Sequence, residues 1–487
     1  MNRNTSTCSN PLPAGKVDLV GAGCGDASWL TVAAKERIEN ADVLVYDDLV
    51  DPTIVRLFKG QESYMRGKRG HLPSADQQAI TDLLIEKARE GKSVVRLKGG
   101  DPMIFGRGME EIEKLQEANI PVRVFPGISS FYGVPSKELF GLTKRGSAAS
   151  FMVTTGHQAV DFRSKKEWKA IADFEGTRVF LMGMNRIASI ADHLMDAGLD
   201  PKTPAAIITS PRFTLTDSIK TPLCNLAKEA EKHHLRSPGL ILVGGSVKDF
   251  EPLQKIRLGI YGTEDFVHAI EKLAPANVQT VWMDRMEAKP LEVDLKAEMD
   301  RHPDWIVLTS RNGVRRFLEE LKKKRIDLRS ISSKIAVLGQ AEADELAKTG
   351  LYPDLISSVA GSAGLAEDLL QTLQADDSVL LLQSEQALPV LRERLTLAGH
   401  PVTFLPLYTL KVIPENEAEV DYSLFASRTS IKDCLKRKDP SKLSQIVCIS
   451  KECADLFPDS LRPSILVGEK PGFKPMLETV LCSSSNQ

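Results

Sequence analysis

Short apolar runs of four or five residues recur along this chain, each followed by a longer stretch with helical spacing, and this alternation restricts the possible folds more than any other feature. Brief runs rich in Val, Ile and Leu, bounded by turn residues, read as strands buried on both faces. Strands that alternate with helices read as βαβ units around parallel sheets. Strands are expected at residues 17–20, 43–46, 94–97, 122–125, 151–154, 179–182, 205–208 and 239–243. The polar passage Ser246-Val247-Lys248-Asp249-Phe250-Glu251-Pro252 then suits a domain boundary. Beyond it the alternation restarts at 257–261, 305–308, 334–338, 379–382 and 402–405, with weaker runs at 423–426 and 445–449. The expected architecture is two α/β halves of roughly 235 residues each, a size at which either half is one or two domains.

Composition narrows the function classes. A formal net charge of -2 excludes a chain built to coat nucleic acid, while leaving room for a local basic pocket. The seven cysteines, at 8, 24, 224, 434, 448, 453 and 482, are odd in number and include no Cys-x-x-Cys pair. A disulfide framework or structural zinc site is therefore not expected, and a reducing cytoplasm is the expected compartment; no bound metal is expected in either half. No apolar run approaches the ~20 residues of a membrane span. Residues 1–15 are polar and proline-containing and are expected to be a disordered tail, as is the Ser-Ser-Ser-Asn-Gln end.

Two loops carry the chemistry. Gly99-Gly100-Asp101-Pro102, with Phe105-Gly106-Arg107-Gly108 close behind, follows the strand at 94–97. Adjacent glycines at a strand's carboxyl end admit a ligand where a Cβ would block it, and open α/β folds bind ligands at such ends. The same residues are also good turn chemistry. Earlier, Gly21-Ala22-Gly23-Cys24-Gly25-Asp26 joins a strand to a helix around 30–38 and invites a dinucleotide reading, with Asp47 or Asp48 as ribose acceptor. Its third glycine falls one residue early for that fingerprint. Asp26 at the helix start also competes with a pyrophosphate for the helix dipole, so a neutral or cationic ligand suits the loop better than a nicotinamide dinucleotide.

Taken in order, these loops resemble a known family. Val20-Gly21-Ala22-Gly23-x-Gly25-Asp26, Ala41-Asp42-Val43-Leu44-Val45-Tyr46-Asp47, Gly67-Lys68-Arg69, the stretch from Val95 through Gly99-Gly100-Asp101-Pro102 to Glu110-Glu111, and Pro126-Gly127-Ile128-Ser129-Ser130 are similar to uroporphyrinogen-III C-methyltransferase, a tetrapyrrole methylase. The resemblance spans about residues 16–247. It implies a two-lobed α/β methylase fold, a homodimer formed through this half, and S-adenosylmethionine bound between the lobes. The donor is expected at Gly23, Gly99, Gly100, Asp101, Met103, Ile104, Ser129, Ser130, Met184, Ala205, Ala206 and Ile207. A substrate with eight carboxylates implies fixed cations, for which Lys68, Arg69, Arg96, Lys98, Arg107 and Arg145 are the candidates. Asp47 is the candidate base or pyrrole N–H acceptor, and Lys68 a further catalytic candidate; by its position alone Asp47 reads equally as a loop carboxylate or helix cap. The chain departs from the family at Cys24, where proline is usual, at Pro73 and Asp76-Gln77, at Pro135-Ser136-Lys137-Glu138-Leu139, and at Thr209-Ser210-Pro211-Arg212.

From about residue 253 the chain resembles uroporphyrinogen-III synthase, the cofactor-free cyclase of hydroxymethylbilane. Asp304-Trp305-Ile306-Val307-Leu308-Thr309-Ser310-x-Asn312-Gly313-Val314, Ile335-Ala336-Val337-Leu338-Gly339, Ala360-Gly361-Ser362-Ala363-Gly364-Leu365 and Gly399-His400-Pro401-Val402 with Leu407-Tyr408 carry the likeness. It implies two α/β lobes joined by a two-stranded ladder, the first lobe closed by the chain's end. Thr309, Ser310 and Asn312 are the expected tetrapyrrole contacts, with Ser427 and Thr429 as lesser candidates. Tyr408 is the candidate to assist hydroxyl departure, or else a core tyrosine with a satisfied hydroxyl. Tyr261-Gly262-Thr263-Glu264 stands where the family carries Thr-Arg-Pro, which leaves open a degenerate tetrapyrrole-binding or docking module. The expected domains are a tail at 1–15, the methyltransferase at 16–247, a linker at 248–256 and the synthase-like half at 257–482. Membrane and nucleic-acid partners are not expected. The product of the second half is the substrate of the first, so the fused activities would make precorrin-2 for sirohaem or cobalamin.

Overall fold

The run at 17–20 forms β1 (Lys16–Gly21), which with β2 (Val43–Tyr46), β3 (Glu62–Met65), β4 (Ser93–Lys98) and β5 (Val122–Phe125) builds a parallel sheet of order β3-β2-β4-β1-β5. The computed structural model describes residues 15–65, 75–156, 163–212, 215–359 and 361–484, so the expected tail falls almost wholly outside the described residues. β1 and β4 are central and buried along nearly their whole length, as continuous apolar runs require. Helices close both faces. Ala34 and Ile38 of the helix Val32–Glu39 pack with Leu44 and Leu97, while Leu84, Ile112 and Leu115 pack with Val17, Val45 and Val94 on the other side.

A second sheet contains β6 (Phe151–Thr155), β7 (Thr177–Leu181), β8 (Pro204–Arg212), β9 (Leu215–Pro222) and β10 (Gly239–Val243), in the order β6-β7-β10-β8-β9. Only β6 and β7 are parallel; β10 is antiparallel to β7 and β8, and β8 to β9. This corrects the parallel expectation. β8 and β9 form a hairpin whose second strand, Leu-Thr-Asp-Ser-Ile-Lys-Thr-Pro, is too polar to stand out as an apolar run. Within the passage read as a boundary, Gly245–Asp249 is a short 3-10 turn. Val247 and Phe250 are buried there, and the Phe250 ring lies 5.0 Å from that of Phe140.

The chain divides into two compact units, the first running to Lys255 and taking in 275–279, the second made of 256–274 and the chain from 280 onward. The second unit carries β11 (Ile256–Gly262), all but the first two residues of β12 (Val278–Pro290), β13 (Trp305–Leu308), β14 (Lys334–Val337), β15 (Leu355–Ile356), β16 (Val379–Ser384), β17 (Val402–Pro414), β18 (Tyr422–Phe425), β19 (Gln445–Cys448) and β20 (Leu466–Val467). Their order is β15-β14-β13-β16-β17-β12-β11-β18-β19-β20. Two parallel lobes meet at the antiparallel ladder of β12 and β17, in which Asp284 faces Pro414 and Pro290 faces Tyr408. The final helix, Phe473–Ser484, returns to the β11 lobe, where Phe473 stacks on Phe266 at 4.8 Å. That helix takes in Ser483 and Ser484, which corrects the expected disordered end at those two residues, while Ser485, Asn486 and Gln487 lie outside the described residues. The six described cysteines are free, and no helix of the described residues is long and apolar enough to cross a membrane.

Candidate functional site

In the first unit three loops converge beyond the carboxyl ends of β1, β4 and β5. A Cβ on Gly127 would stand 2.3 Å from the Gly100 carbonyl oxygen, and one on Gly21 would stand 2.4 Å from the Gly127 nitrogen. Only glycine permits backbones to approach so closely. Gly23 and Gly100, at φ of 73° and 70°, exchange both N–H···O bonds, at 3.0 and 2.7 Å. Asp101 closes the junction, its Oδ2 accepting from Gly127 N–H at 3.1 Å and its Oδ1 from Met103 N–H at 2.8 Å. Buried Ser129 is the next neighbour of Gly100 and starts the helix Ser130–Lys137.

The junction therefore brings Gly23, Gly99, Gly100, Asp101, Ser129 and Ser130 together. Gly100 otherwise faces open space, and Met103 and Ile104 stand 42% and 41% exposed on the same loop. A bare backbone plate with apolar neighbours, and a carboxylate where a phosphate cradle needs N–H donors, fits a partly apolar, cationic ligand such as S-adenosylmethionine.

Asp47 follows β2, next to β4, and its N–H donates to the Leu97 carbonyl at 3.2 Å. Its Oδ1 accepts from Arg96 Nη2 at 2.5 Å. Arg96 and Lys98 share one face of a central strand, and a buried cation there is costly without an anion. Glu111, on the helix Gly108–Glu117, supplies it from full burial. Its Oε1 accepts from Lys98 Nζ and Gln77 Nε2, both at 2.7 Å, and from Arg96 Nε at 3.4 Å, while buried Oε2 has no partner among the described residues. Burial, and then the neighbouring Arg96, push the Lys98 ammonium below its usual range. Arg96 thus lies between two carboxylates rather than free in a cleft. Half-exposed Arg107 holds Glu110 at 2.9 and 2.6 Å, and Arg145 is exposed. Lys68 and Arg69 lie outside the described residues.

Of the remaining expected donor contacts, Ala206 packs in the same core as Cys24, Phe131 and Val134, so its face of β8 looks toward the helix Ser130–Lys137. Ala205, Ile207 and Met184 fill the core on the opposite face, Met184 against Gly239. β8 is paired on both edges at 205–207, so those residues present neither side chain nor free backbone to solvent.

In the second unit, the carboxyl ends of β13 and β16 meet Tyr408 of β17. Ser310 caps the helix Arg311–Lys323 through Gly313 N–H at 3.0 Å, and its hydroxyl lies 2.8 Å from the Tyr408 hydroxyl. Thr309 Oγ1 accepts from Gln383 Nε2 at 3.0 Å, and Asn312 is half-buried one position past Arg311. Burial pushes the Tyr408 phenol up, so it stays protonated and can donate; burial likewise raises Glu342, whose charge it feels. Ser427 lies on the other lobe, where it caps the helix Arg428–Arg437.

Glu111, Gln77 and Glu342 escaped the sequence reading as functional groups. Two cations spaced i, i+2 in an apolar strand were the available signal for Glu111, since such a pair demands a buried anion.

Residues 16–211 match the model of the tetrapyrrole (corrin/porphyrin) methylases, and residues 276–478 match that of uroporphyrinogen-III synthase HemD. The chain is similar to porphyrin biosynthesis protein HemD of Ruminiclostridium josui, 29% identical across 96% of this chain and 98% of that protein. Its first half is 43% identical to uroporphyrinogen-III C-methyltransferase of Methanocaldococcus jannaschii, over 47% of this chain and 96% of that one. Among solved structures it is similar to the uroporphyrin-III C-methyl transferase of Thermus thermophilus complexed with S-adenyl homocysteine, at 35% identity over 48% of this chain and 100% of that chain, with a TM-score of 0.42.

Proposed function

The chain belongs to the uroporphyrinogen-III C-methyltransferase family and carries a uroporphyrinogen-III synthase half, and from that premise we propose how its residues divide the work. The enzyme couples S-adenosylmethionine-dependent methylation of a tetrapyrrole to cyclisation of its precursor, in tetrapyrrole biosynthesis. Residues 16–247 form the methylase and 257–482 the synthase, with 248–256 joining them. The single observation that carries the site assignment is the glycine junction of Gly21, Gly100 and Gly127 standing beside an Asp47 held by a buried arginine.

Bound S-adenosylmethionine supplies an electrophilic methyl on a sulfonium centre. Gly23, Gly99, Gly100, Met103, Ile104, Ser129 and Ser130 hold the donor, with Ala206 behind the helix that starts at Ser130. Met184, Ala205 and Ile207 shape the second lobe's core. Fixing donor and pyrrole side by side makes the transfer effectively unimolecular. The bound donor would supply one methyl at a time to a pyrrole β-carbon, a C–C bond replacing the S–C bond as one ring proton is released. Asp47, its carboxylate fixed by Arg96, accepts that proton or the pyrrole N–H. Arg107 and Arg145 meet substrate carboxylates at the exposed rim. Lys68 and Arg69 are given the same role on the Gly67-Lys68-Arg69 motif alone.

In the synthase half, the neutral Tyr408 phenol, paired with Ser310, donates to the departing hydroxyl of hydroxymethylbilane as ring closure releases water. Thr309 and Asn312 contact the tetrapyrrole. Six free cysteines fit a reducing compartment, and hence the cytoplasm. Exposed Tyr132 and Phe151, on either side of Phe131, give a homodimer apolar surface to cover.

Anaerobic incubation with hydroxymethylbilane and S-adenosylmethionine tests the assignment. Dimethylated type-III product above the spontaneous type-I background is expected. Methylation only of supplied uroporphyrinogen III would remove the synthase role; no methylation from either substrate would remove the methylase role, and the synthase role would then stand or fall on unmethylated type-III product.

A further inference from the structure

Asp265 and Arg315 face each other across the two lobes of the second unit. Asp265 lies in the first turn of the helix Glu264–Leu273, which follows β11. Arg315 lies on the helix that Ser310 caps, on the β13 lobe. The guanidinium sets Nη1 and Nη2 each 3.2 Å from one Asp265 oxygen, and its Nε stands 3.2 Å from Glu345 Oε1. Arg311, one turn earlier on the same helix, reaches to 4.0 Å of Asp265.

Two features make this more than a bridge between lobes. Arg311 adjoins Ser310, which holds Tyr408, so the arginine pair begins at the same strand ends as the candidate catalytic hydroxyls. The pair is also accessible: Arg311 and Arg315 are 38% and 39% exposed and Asp265 25%. An ion pair at such exposure contributes little net stability and exchanges partners readily. A planar fork gripping a carboxylate at two points is the geometry by which arginine recognises carboxylates in general. The turn after β11 carries Thr263-Glu264-Asp265 and no lysine or arginine, so the cations beside it are those of the facing helix.

Resting on the synthase reading, we propose that Arg311 and Arg315 form a carboxylate-binding pair for the tetrapyrrole, that Asp265 occupies it in the absence of substrate, and that an acetate or propionate side chain of the substrate takes the place of Asp265. Asp265 is then an internal competitor and the arginines are ligands. Their substitutions must therefore act in opposite directions, whereas an ordinary structural bridge loses the same thing from either side.

The experiment measures type-III uroporphyrinogen formation from hydroxymethylbilane by the full chain, comparing the parent with D265N, R315Q and R315K. Removing the competitor is expected to lower KM by about threefold with kcat unchanged, and removing the fork to raise KM by about tenfold, with R315K between parent and R315Q. KM shifts of the same sign in D265N and R315Q, or no shift in either, overturn the proposal. If R315Q fails to fold, by circular dichroism, R315K carries the comparison. A parent chain that makes no type-III product retires the synthase reading separately. The proposal is then decided by fluorescence titration with uroporphyrin III, the methylase half being identical in every variant. Tighter binding by D265N with weaker binding by R315K supports it, and any other pattern overturns it.

Discussion

Deleting the Glu111 carboxylate tests whether the ion cluster on β4 is as interdependent as its geometry implies. Glu111 is fully buried, and the side chains of Arg96 and Lys98 are 2% and 5% exposed. In E111A, among the described residues, Lys98 keeps no anion at contact distance and Arg96 keeps only Asp47. Breaking a buried pair from one side costs about 3–5 kcal/mol, because a buried charge is left uncompensated. Hydrogen exchange of peptides covering β4 reads that cost locally and needs no assumption that the two units unfold together. At 1.4 kcal/mol per decade, exchange there should accelerate by about a hundredfold to a few thousandfold. The double variant K98M/E111M removes one charge of each sign and fills the space with apolar atoms, leaving Arg96 with Asp47. It should restore much of the protection, because such swaps are often close to neutral. Acceleration below about tenfold in E111A, or a double variant worse than the single one, would refute the view of a coupled buried cluster.

Three further outcomes are expected. D47N should lower kcat for methylation by about 10²–10⁴ as a lost proton acceptor does, while the KM for S-adenosylmethionine stays within about threefold; a change confined to KM would reassign Asp47 to binding. G127A places its Cβ 2.3 Å from the Gly100 carbonyl oxygen, so calorimetry should find S-adenosylhomocysteine binding at least about tenfold weaker with cyclisation unaffected; unchanged binding would detach the donor site from the junction. Burial raises Glu342 above its ordinary 4.5, so the native state holds that proton more tightly than the unfolded chain. Its contribution is whole below about pH 4.5 and is lost as pH rises through the folded value, so the stability of E342Q relative to the parent should climb from about pH 4.5 upward in denaturant titrations; a pH-independent difference would refute the assigned cause.

The α/β class, the two halves and most strand positions were legible because continuous apolar runs such as Leu380-Leu381-Leu382 have no alternative to burial on both faces. The strands that went unseen are instructive. β3, β9, β15 and β20 are sheet edges, where half the residues face solvent or pairing lasts only two residues, so the apolar signal fades. β12 is internal yet polar along much of Val278–Pro290, and pairing with β17 makes it a strand.

The glycine loops were also legible, since the close approach of Gly21, Gly100 and Gly127 is written in the residue type itself. What each charged side chain does was not. Arg96 and Arg107 read alike along the chain, both as carboxylate ligands for the tetrapyrrole. One became the buried clamp on Asp47 and the other a rim residue paired with Glu110. Sequence alone determined the fold class and the glycine loops that pack backbone to backbone, because hydropathy and glycine are properties of single residues. Only the tertiary structure decided which cations are free and which are held, because that depends on the anion another element brings alongside.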